Sequence, residues 1–296
     1  MSIEGSITAL VTPMNEKGDL DYNSLEKLIN FQIDSGISGL VAVGTTGESA
    51  TIDFEDHIKL IEFFIKISNG RVHIIAGTGA NSTDEALHLT REAKNLGADA
   101  ALLVSPYYNK PPQEGIYRHH AKIADEVDIP QILYNVPSRT ASFIEPETVQ
   151  RLSSHQNIMG IKDATGDMKN LYEVLKLCKE DIKSKNFFLY SGDDFSSLEF
   201  LKNGGHGTIS VTSNVVPEII SEICLNVKND FSRAKQLDDQ IKELNQNLFC
   251  ESNPIPVKWA LQQMGLIKSG IRLPLVELND SFKESVKNSL EELNLI

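Results

Sequence analysis

Eight short apolar segments, each of the kind that forms a buried strand, recur along this chain and restrict its fold more than any other feature. Their starts are mostly 27 to 33 residues apart, with a shorter last step of 20 residues. Continuous apolar runs of about four to eight residues are typical of strands covered on both faces, as in parallel sheets. The predicted strands are 6–10, 39–44, 72–77, 100–105, 131–136, 158–163, 187–192 and 207–211.

Segments with helical periodicity lie between the predicted strands. Residues 23–36 place leucine and isoleucine on one stripe and end at Gly36, and residues 82–97 begin with Ser82 and Glu85 at the spacing of a capping box. Strand, loop and helix repeated eight times predict an α/β fold, the (β/α)8 TIM barrel. A doubly wound sheet is the alternative, and the count of eight and the even spacing favour the barrel.

The strand pattern stops after residue 212, and helical segments follow. They are 214–228, 230–248, 254–264 and 281–293. No low-complexity linker precedes them, so we expect these helices to pack on the barrel. The sequence therefore predicts a (β/α)8 barrel at 1–224 and a C-terminal helical domain at 225–296.

Charge and composition argue against several classes of partner and location. The net charge is −13 without any basic block, which argues against nucleic acid or an anionic membrane as a partner. No run approaches the roughly 18 apolar residues that a membrane span needs. We expect no signal peptide, because the N-terminus lacks a basic region. The widely spaced Cys178, Cys224 and Cys250 form no CxxC pair, which favours a reduced, cytoplasmic protein.

Lys162 ends the apolar segment 158–163, and active sites of barrels lie at such strand ends. Burial disfavours the ammonium form of lysine and lowers its pKa, and the neutral amine can attack a carbonyl and form a Schiff base. The alternative is a structural salt bridge with Asp163. Adjacent residues in a strand face opposite sides of the sheet, so we expect Asp163 to point away from Lys162 and to support the following loop.

Other polar and aromatic residues follow the neighbouring strands. Tyr134, Tyr107 and Tyr108 offer phenols for the proton transfers of imine chemistry, although a lone tyrosine is more often a core or surface residue. The turn "GTTGES" (44–49) offers hydroxyls and backbone N–H groups to a carboxylate, or is only a tight turn. Arg139 suits bidentate carboxylate recognition, or forms a surface salt bridge.

The sequence indicates neither a dinucleotide site nor a metal site. In "GTGANS" (77–82), Ser82 stands in place of the third glycine of the dinucleotide fingerprint, and there is no P-loop and no HExxH. His119 and His120 lie on a predicted helix without carboxylates at metal-binding spacing. We therefore expect no metal.

Three motifs resemble those of a known family. In order and spacing, "GTTGES" (44–49), "YNVPSRT" (134–140) and "GIKDATGD" (160–167) resemble the hallmark motifs of the pyruvate-dependent class I aldolases, typified by dihydrodipicolinate synthase and N-acetylneuraminate lyase. The similarity runs from "GSITALVTP" (5–13) to "NPIPVKWAL" (253–261). The resemblance implies a TIM barrel with a C-terminal helical domain and neither a metal nor an organic cofactor.

The resemblance also implies roles for individual residues. Lys162 matches the lysine that forms a Schiff base with pyruvate, so a pyruvate imine on Lys162 is the one covalent group expected. Tyr134 matches the tyrosine that moves protons above the imine. Thr45 and Thr46 match the pair that binds the pyruvate carboxylate and completes a proton relay.

Further residues match the substrate pocket, and Arg139, Tyr108 and one C-terminal segment favour one branch of the family. Gly192 and Ile209 match positions that line the pyruvate pocket, Ile209 through its carbonyl. Arg139 matches the arginine that holds the carboxylate of aspartate semialdehyde, and Tyr108 matches a tyrosine that reaches into the neighbouring subunit's site. The segment "CESNPIPVKWAL" (250–261) is also typical of the synthase branch.

The expected reaction is therefore condensation of pyruvate with L-aspartate 4-semialdehyde, the first committed step of diaminopimelate and lysine biosynthesis. One alternative is another pyruvate-dependent enzyme of the family, a sialic acid or 2-keto-3-deoxy sugar acid lyase, and Arg139 argues against it. The other is a non-catalytic regulatory or binding protein. The intact lysine, tyrosine and threonine set argues against that reading.

The resemblance further implies a regulatory cleft and an assembly. The residues that match the lysine-binding cleft of feedback-inhibited members are Ser49, Ala50, His57, Asn81, Glu85 and Tyr107. Phe54 departs from the histidine that many lysine-sensitive members have, so we expect weak or intermediate inhibition by lysine. A homotetramer built as a dimer of dimers is the implied assembly.

Overall fold

The computed structural model describes residues 3–296, and its centre is a closed barrel of eight parallel strands. Strands β1 to β8 span Gly5–Ala9, Gly39–Ala42, His73–Gly77, Ala100–Val104, Gln131–Asn135, Ile158–Asp163, Phe188–Ser191 and Gly207–Ser210. All eight predicted strands are confirmed, each with ends within two residues of those expected. The barrel closes where β8 pairs with β1, with Ile7 beside Ile209, which excludes a doubly wound sheet.

Helices follow the strands and cover the outside of the barrel. Helices α1 to α14 span Tyr22–Asp34, Phe54–Ser68, Thr83–Leu96, Gln113–Glu126, Pro137–Thr140, Pro146–Ser153, Met168–Leu177, Lys179–Lys183, Ser197–Lys202, Pro217–Asn226, Phe231–Gln240, Lys242–Asn247, Ile255–Gln263 and Asp280–Glu292. Helix α10 packs against β1 and completes the layer around the barrel.

Local signals begin and end the helices as the sequence predicts. The Ser82 hydroxyl caps α3 by accepting a hydrogen bond from the Glu85 backbone N–H at 3.4 Å. Gly97 ends α3 in the left-handed conformation, with a φ of +93°. Helix α1 has Ser35 as its C-cap, and Gly36 follows directly with a φ of +78°.

Alternate residues of each strand face the barrel interior and the surrounding helices, because side chains in a strand alternate between its two faces. On β5, Ile132 and Tyr134 belong to the buried cluster inside the barrel. Leu133, between them, packs with residues of the outer helices such as Val149 and Leu171. This alternation places Tyr134 in the interior at the carboxyl end of its strand.

The C-terminal helices share one hydrophobic core with the helices of the barrel. Leu237, Leu261 and Leu290 belong to the same buried cluster as Leu28 and Leu60. The predicted helical segment 230–248 consists of two helices, α11 and α12. The predicted boundary after residue 224 falls inside α10, and the division of the chain at that point stays a prediction.

Among residues 3–296, no helix combines the length and the apolar composition required to cross a bilayer.

Candidate active site

Tyr134 and Lys162 lie side by side inside the barrel. They are register partners on β5 and β6, so their side chains leave the same face of the barrel wall. The Nζ atom of Lys162 lies 4.3 Å from the centroid of the Tyr134 ring, and both side chains are buried. An amine and a phenol in this arrangement can act on one bound carbonyl compound, the amine as nucleophile and the phenol in proton transfer.

The surroundings of Lys162 favour its neutral form. Burial lowers the pKa of its ammonium group to about 8, the Asp194 carboxylate opposes this shift, and the Arg139 guanidinium adds to it. Asp163 binds other groups, since its carboxylate accepts hydrogen bonds from the Asn170 amide at 2.6 Å and from the Thr165 backbone N–H at 3.1 Å. The prediction that Asp163 supports the following loop is confirmed, and the salt-bridge alternative is excluded.

The loop that follows β2 carries Thr45 and Thr46 at the same end of the barrel. Val43 enters this loop with a φ of +54°, which β-branched residues rarely adopt, so the backbone is strained there. Burial raises the pKa of the Tyr134 phenol, while Arg139 and a side-chain hydrogen bond with Thr45 oppose that rise. Thr45 is therefore the residue of this loop that interacts with the Tyr134 phenol.

Thr46 is buried and has a partner from the C-terminal region. Its Oγ1 atom accepts a hydrogen bond from the Nδ2 atom of Asn253 at 3.0 Å. A hydroxyl that accepts one hydrogen bond keeps its own hydrogen for another acceptor. This geometry leaves the Thr46 hydroxyl able to donate to a carboxylate.

Gly192 directly follows β7, and Ile209 lies on β8. A Cβ atom at Gly192 would stand 2.7 Å from Cε and 2.9 Å from Cγ of Lys162, so only glycine leaves room for the lysine side chain. Ile209 is fully buried on β8 and belongs to the cluster inside the barrel. Asp194 holds the turn after β8, because its carboxylate accepts from the backbone N–H groups of Val211 at 2.9 Å and Thr212 at 3.1 Å.

A cavity of about 460 Å³ opens beside the strand ends. Thr45 and Arg139 line it, together with Asn253 and Val136. Arg139 is exposed, and its guanidinium donates to the Asn253 carbonyl at 3.3 Å. The cavity thus combines hydroxyl donors with one exposed guanidinium, a set of groups suited to carboxylate ligands.

The residues predicted for the regulatory cleft border the same cavity, with one exception. Those that line it are Ser49, Ala50, His57, Glu85 and Tyr107. Asn81 does not line it, although its carbonyl accepts from the Asn109 amide nearby, at 3.0 Å. Phe54 forms one wall and stacks on His88, with ring centroids 4.7 Å apart and planes within 3° of parallel.

Tyr108 is not brought to Lys162 within this chain. Its side chain is 88% exposed, it does not line the cavity, and its φ is +73°. Contacts within its own chain do not explain why this bulky residue adopts the left-handed conformation with its ring in solvent.

Two residues near Lys162 and Thr46 were assigned no role from the sequence. Asn253 lies in the "NPIPVKWAL" motif, and Asp194 is the last residue of the run "SGDD" at 191–194, so their positions were a weak indication of a function. The signal was insufficient because their partners, Thr46 and the turn after β8, lie on other elements. Among residues 3–296, no group of three or more histidine, cysteine or acidic side chains has the arrangement of a metal site.

Comparisons with known proteins agree on one family. A model of the dihydrodipicolinate synthetase family matches residues 2–293. A 4-hydroxy-tetrahydrodipicolinate synthase of Alcanivorax borkumensis is 50% identical over 295 residues, covering 99% of each chain. The chloride-inhibited dihydrodipicolinate synthase of Acinetobacter baumannii, complexed with pyruvate, superposes with a TM-score of 0.96 at 50% identity and covers 100% of both chains.

A more distant structure carries a different ligand. The enzyme from Cyanidioschyzon merolae, with lysine bound, gives a TM-score of 0.94 at 34% identity and covers 99% of both chains. Full-length matches at these identities establish common descent as well as a common fold. The chain therefore belongs to the dihydrodipicolinate synthetase family.

Proposed function

We propose that this chain is a lyase of the class I aldolase type, a 4-hydroxy-tetrahydrodipicolinate synthase that condenses pyruvate with L-aspartate 4-semialdehyde. The observation that carries the proposal is the buried Lys162 amine, 4.3 Å from the Tyr134 ring and without an ion-pair partner among residues 3–296. Full-length relatives of the same activity support it. Arg139 at the cavity favours this reaction over cleavage of sialic acid or keto-deoxy sugar acids.

The first half of the reaction uses the lowered pKa of Lys162. A pKa of about 8 leaves about a tenth of the amine neutral at pH 7, roughly 300-fold more than the ordinary value of 10.5 would leave. The neutral amine attacks the keto carbon of pyruvate, whose carboxylate is held by Thr45 and Thr46, and water leaves to give the imine. Loss of a methyl proton, with Tyr134 as the proton carrier, then gives the enamine.

The second half forms the carbon–carbon bond. The enamine carbon attacks the aldehyde of aspartate semialdehyde while Arg139 holds that substrate's carboxylate, and Tyr134 supplies the proton that the new alkoxide needs. The amine of the substrate then displaces Lys162 as the ring closes, which restores the free lysine. Gly192 and the Ile209 carbonyl complete the pyruvate pocket in this proposal, and no cofactor beyond the imine takes part.

Borohydride trapping tests the proposal directly. Incubation with pyruvate and borohydride should yield a reduced adduct on Lys162, located by peptide mass spectrometry, and Lys162→Ala should yield none. An adduct on another residue, or none, would rule out the Schiff-base function. Turnover with aspartate semialdehyde, and the lack of sialic acid or keto-deoxy-gluconate cleavage, then distinguishes the synthase from the lyases.

Tyr108 supports a shared active site. We propose that its exposed ring enters the site of a neighbouring subunit, in a homotetramer arranged as a dimer of dimers. Light scattering combined with activity measurements tests this, and a fully active monomer would refute it.

Lysine is the proposed feedback inhibitor, acting at the cleft that includes His57, Glu85 and Tyr107. Glu85 offers a charge partner for an ammonium group, whereas the stack of Phe54 on His88 replaces part of a polar wall with an apolar one. Inhibition should therefore be weak or intermediate. A steady-state titration with millimolar lysine that leaves the rate unchanged would contradict this.

A cytoplasmic location is proposed from the activity and from the three free cysteines, Cys178, Cys224 and Cys250. Cell fractionation with an antibody against the chain tests it.

A further inference from the structure

A buried ion pair joins the Thr45–Thr46 loop to the C-terminal helices. The Nζ atom of Lys258, on α13, donates to the Oε1 atom of Glu48, and the Glu48 and Lys258 side chains are 0% and 5% exposed. Glu48 directly follows the loop's central Gly47 and has a φ of +61°. The pair is therefore part of the loop that carries the two threonines.

Both members of the pair make a further hydrogen bond. Lys258 Nζ donates to the Thr12 carbonyl at 3.1 Å, and the Arg272 backbone N–H donates to the second Glu48 oxygen at 3.1 Å. The Thr12 hydroxyl in turn donates to the Gly47 carbonyl at 2.7 Å. Every bond in this group ties the loops after β1 and β2 to each other or to the C-terminal region.

A buried ion pair is a poor source of stability, because the cost of removing two charges from water offsets much of their attraction. What such a hydrogen-bonded pair supplies is a defined geometry, since each charge must keep its partners or lie uncompensated in a dry environment. Thr45 and Thr46 need such a geometry, because a carboxylate site works only while its donors stay within about 0.5 Å of their places.

We propose that Glu48 and Lys258 are positioning residues for pyruvate: the pair locks the loop so that the Thr45 and Thr46 hydroxyls meet the carboxylate of that substrate. The inference rests on the proposed function, because it takes pyruvate as the ligand of these hydroxyls. Arg139, which is assigned to the second substrate, forms no hydrogen bond or ion pair with Glu48 or Lys258. Loss of the pair should therefore weaken the use of pyruvate and leave the use of aspartate semialdehyde largely unchanged.

The test compares Lys258→Met and Glu48→Gln with the wild type and with Lys283→Met, a matched control. Lys283 forms an exposed pair with Asp280 on α14, away from the loop. Steady-state kinetics should show a rise of tenfold or more in KM for pyruvate in both loop variants, a change under twofold in KM for aspartate semialdehyde, and wild-type constants in the control. The pyruvate concentration that half-saturates borohydride trapping should rise by the same factor.

Two results would overturn the inference. The first is an unchanged KM for pyruvate in a folded variant, and the second is an equal fall in kcat/KM for both substrates, as expected for a merely structural pair. If Lys258→Met does not fold by circular dichroism, Glu48→Gln, which keeps an acceptor for Lys258, decides by the same criteria. Absence of a pyruvate adduct in the wild type would refute the proposed function itself, whereas an adduct with unaffected variants would refute only the positioning role.

Discussion

Replacing Gly192 by alanine tests whether the position of the Lys162 side chain limits the reaction. The added Cβ atom would stand 2.7 Å from Cε and 2.9 Å from Cγ of Lys162, and 3.0 Å from the Cβ atom of Ala164. Carbon atoms without a bond between them prefer separations of about 3.5–4.0 Å. The lysine chain must therefore move by roughly 1 Å to remove the overlap.

A displacement of that size has a predictable consequence. Misplacement of a reacting group by about 1 Å can lower its rate by about 100-fold. We expect kcat/KM for pyruvate to fall by about that factor, and stability to fall by about 1–3 kcal/mol, the usual range for overpacking. The catalytic loss, corresponding to about 2.7 kcal/mol in the barrier, should remain when the variant is assayed well below its unfolding temperature.

The assay combines the initial rate of borohydride trapping with steady-state turnover, and thermal unfolding establishes that the variant is folded. Gly115→Ala, on helix α4, is the matched control, because it makes the same chemical change away from the barrel interior. Its kinetics should equal those of the wild type. A Gly192→Ala enzyme with trapping and turnover within threefold of the wild type would show that the position of Lys162 is not restricted in this way.

Tyr134→Phe should lower kcat about 100-fold with little change in unfolding temperature, because it removes only the proton-carrying hydroxyl; an unaltered kcat would contradict that role. The pKa of Lys162 is about 8 in the folded chain and 10.5 in the unfolded chain. Because the unfolded chain binds more protons between pH 8 and pH 10.5, the free energy of unfolding should rise by about 3 kcal/mol over this range. Urea unfolding of Lys162→Met should lack that rise. Burial lowers the pKa of His119 from 6.5 to about 4 and that of His120 well below 6.5. Because the unfolded chain protonates these rings first, the free energy of unfolding keeps its full value above pH 6.5 and falls as the pH drops toward 4. His119→Gln combined with His120→Gln should reduce that loss, and equal acid sensitivity in urea unfolding would exclude these residues as its source.

The barrel was predictable from the chain because its signals are local and repeated. A strand covered on both faces must be apolar along its whole length, so each of the eight strands is visible without knowledge of its neighbours. The ends of α3 were predictable for the same reason, since Ser82 and Gly97 act on the backbone next to them. The division of 230–248 into α11 and α12 was missed, because helical periodicity continues across the break at Ile241.

Partners that are distant in sequence could not be predicted. Asn253 lies 207 residues from Thr46, and Lys258 lies 210 residues from Glu48, yet both pairs are hydrogen-bonded. Neither residue carries a local pattern that identifies its partner, because these contacts depend on where α13 packs against the barrel. Helix packing is determined by the whole apolar surface and not by any one short motif.

By itself, the sequence determined which groups are present and where they fall in the strand period: a lysine that ends β6, a tyrosine one strand away, and hydroxyls in the loop after β2. The tertiary structure decided how these groups behave. Closing the barrel removes water from Lys162 and lowers its pKa to about 8, sends Asp163 to other partners, and leaves room for the lysine only because position 192 is glycine. The physical reason is that residue identity and strand period are properties of the local chain, whereas desolvation and long-range contacts exist only after all eight strands have closed.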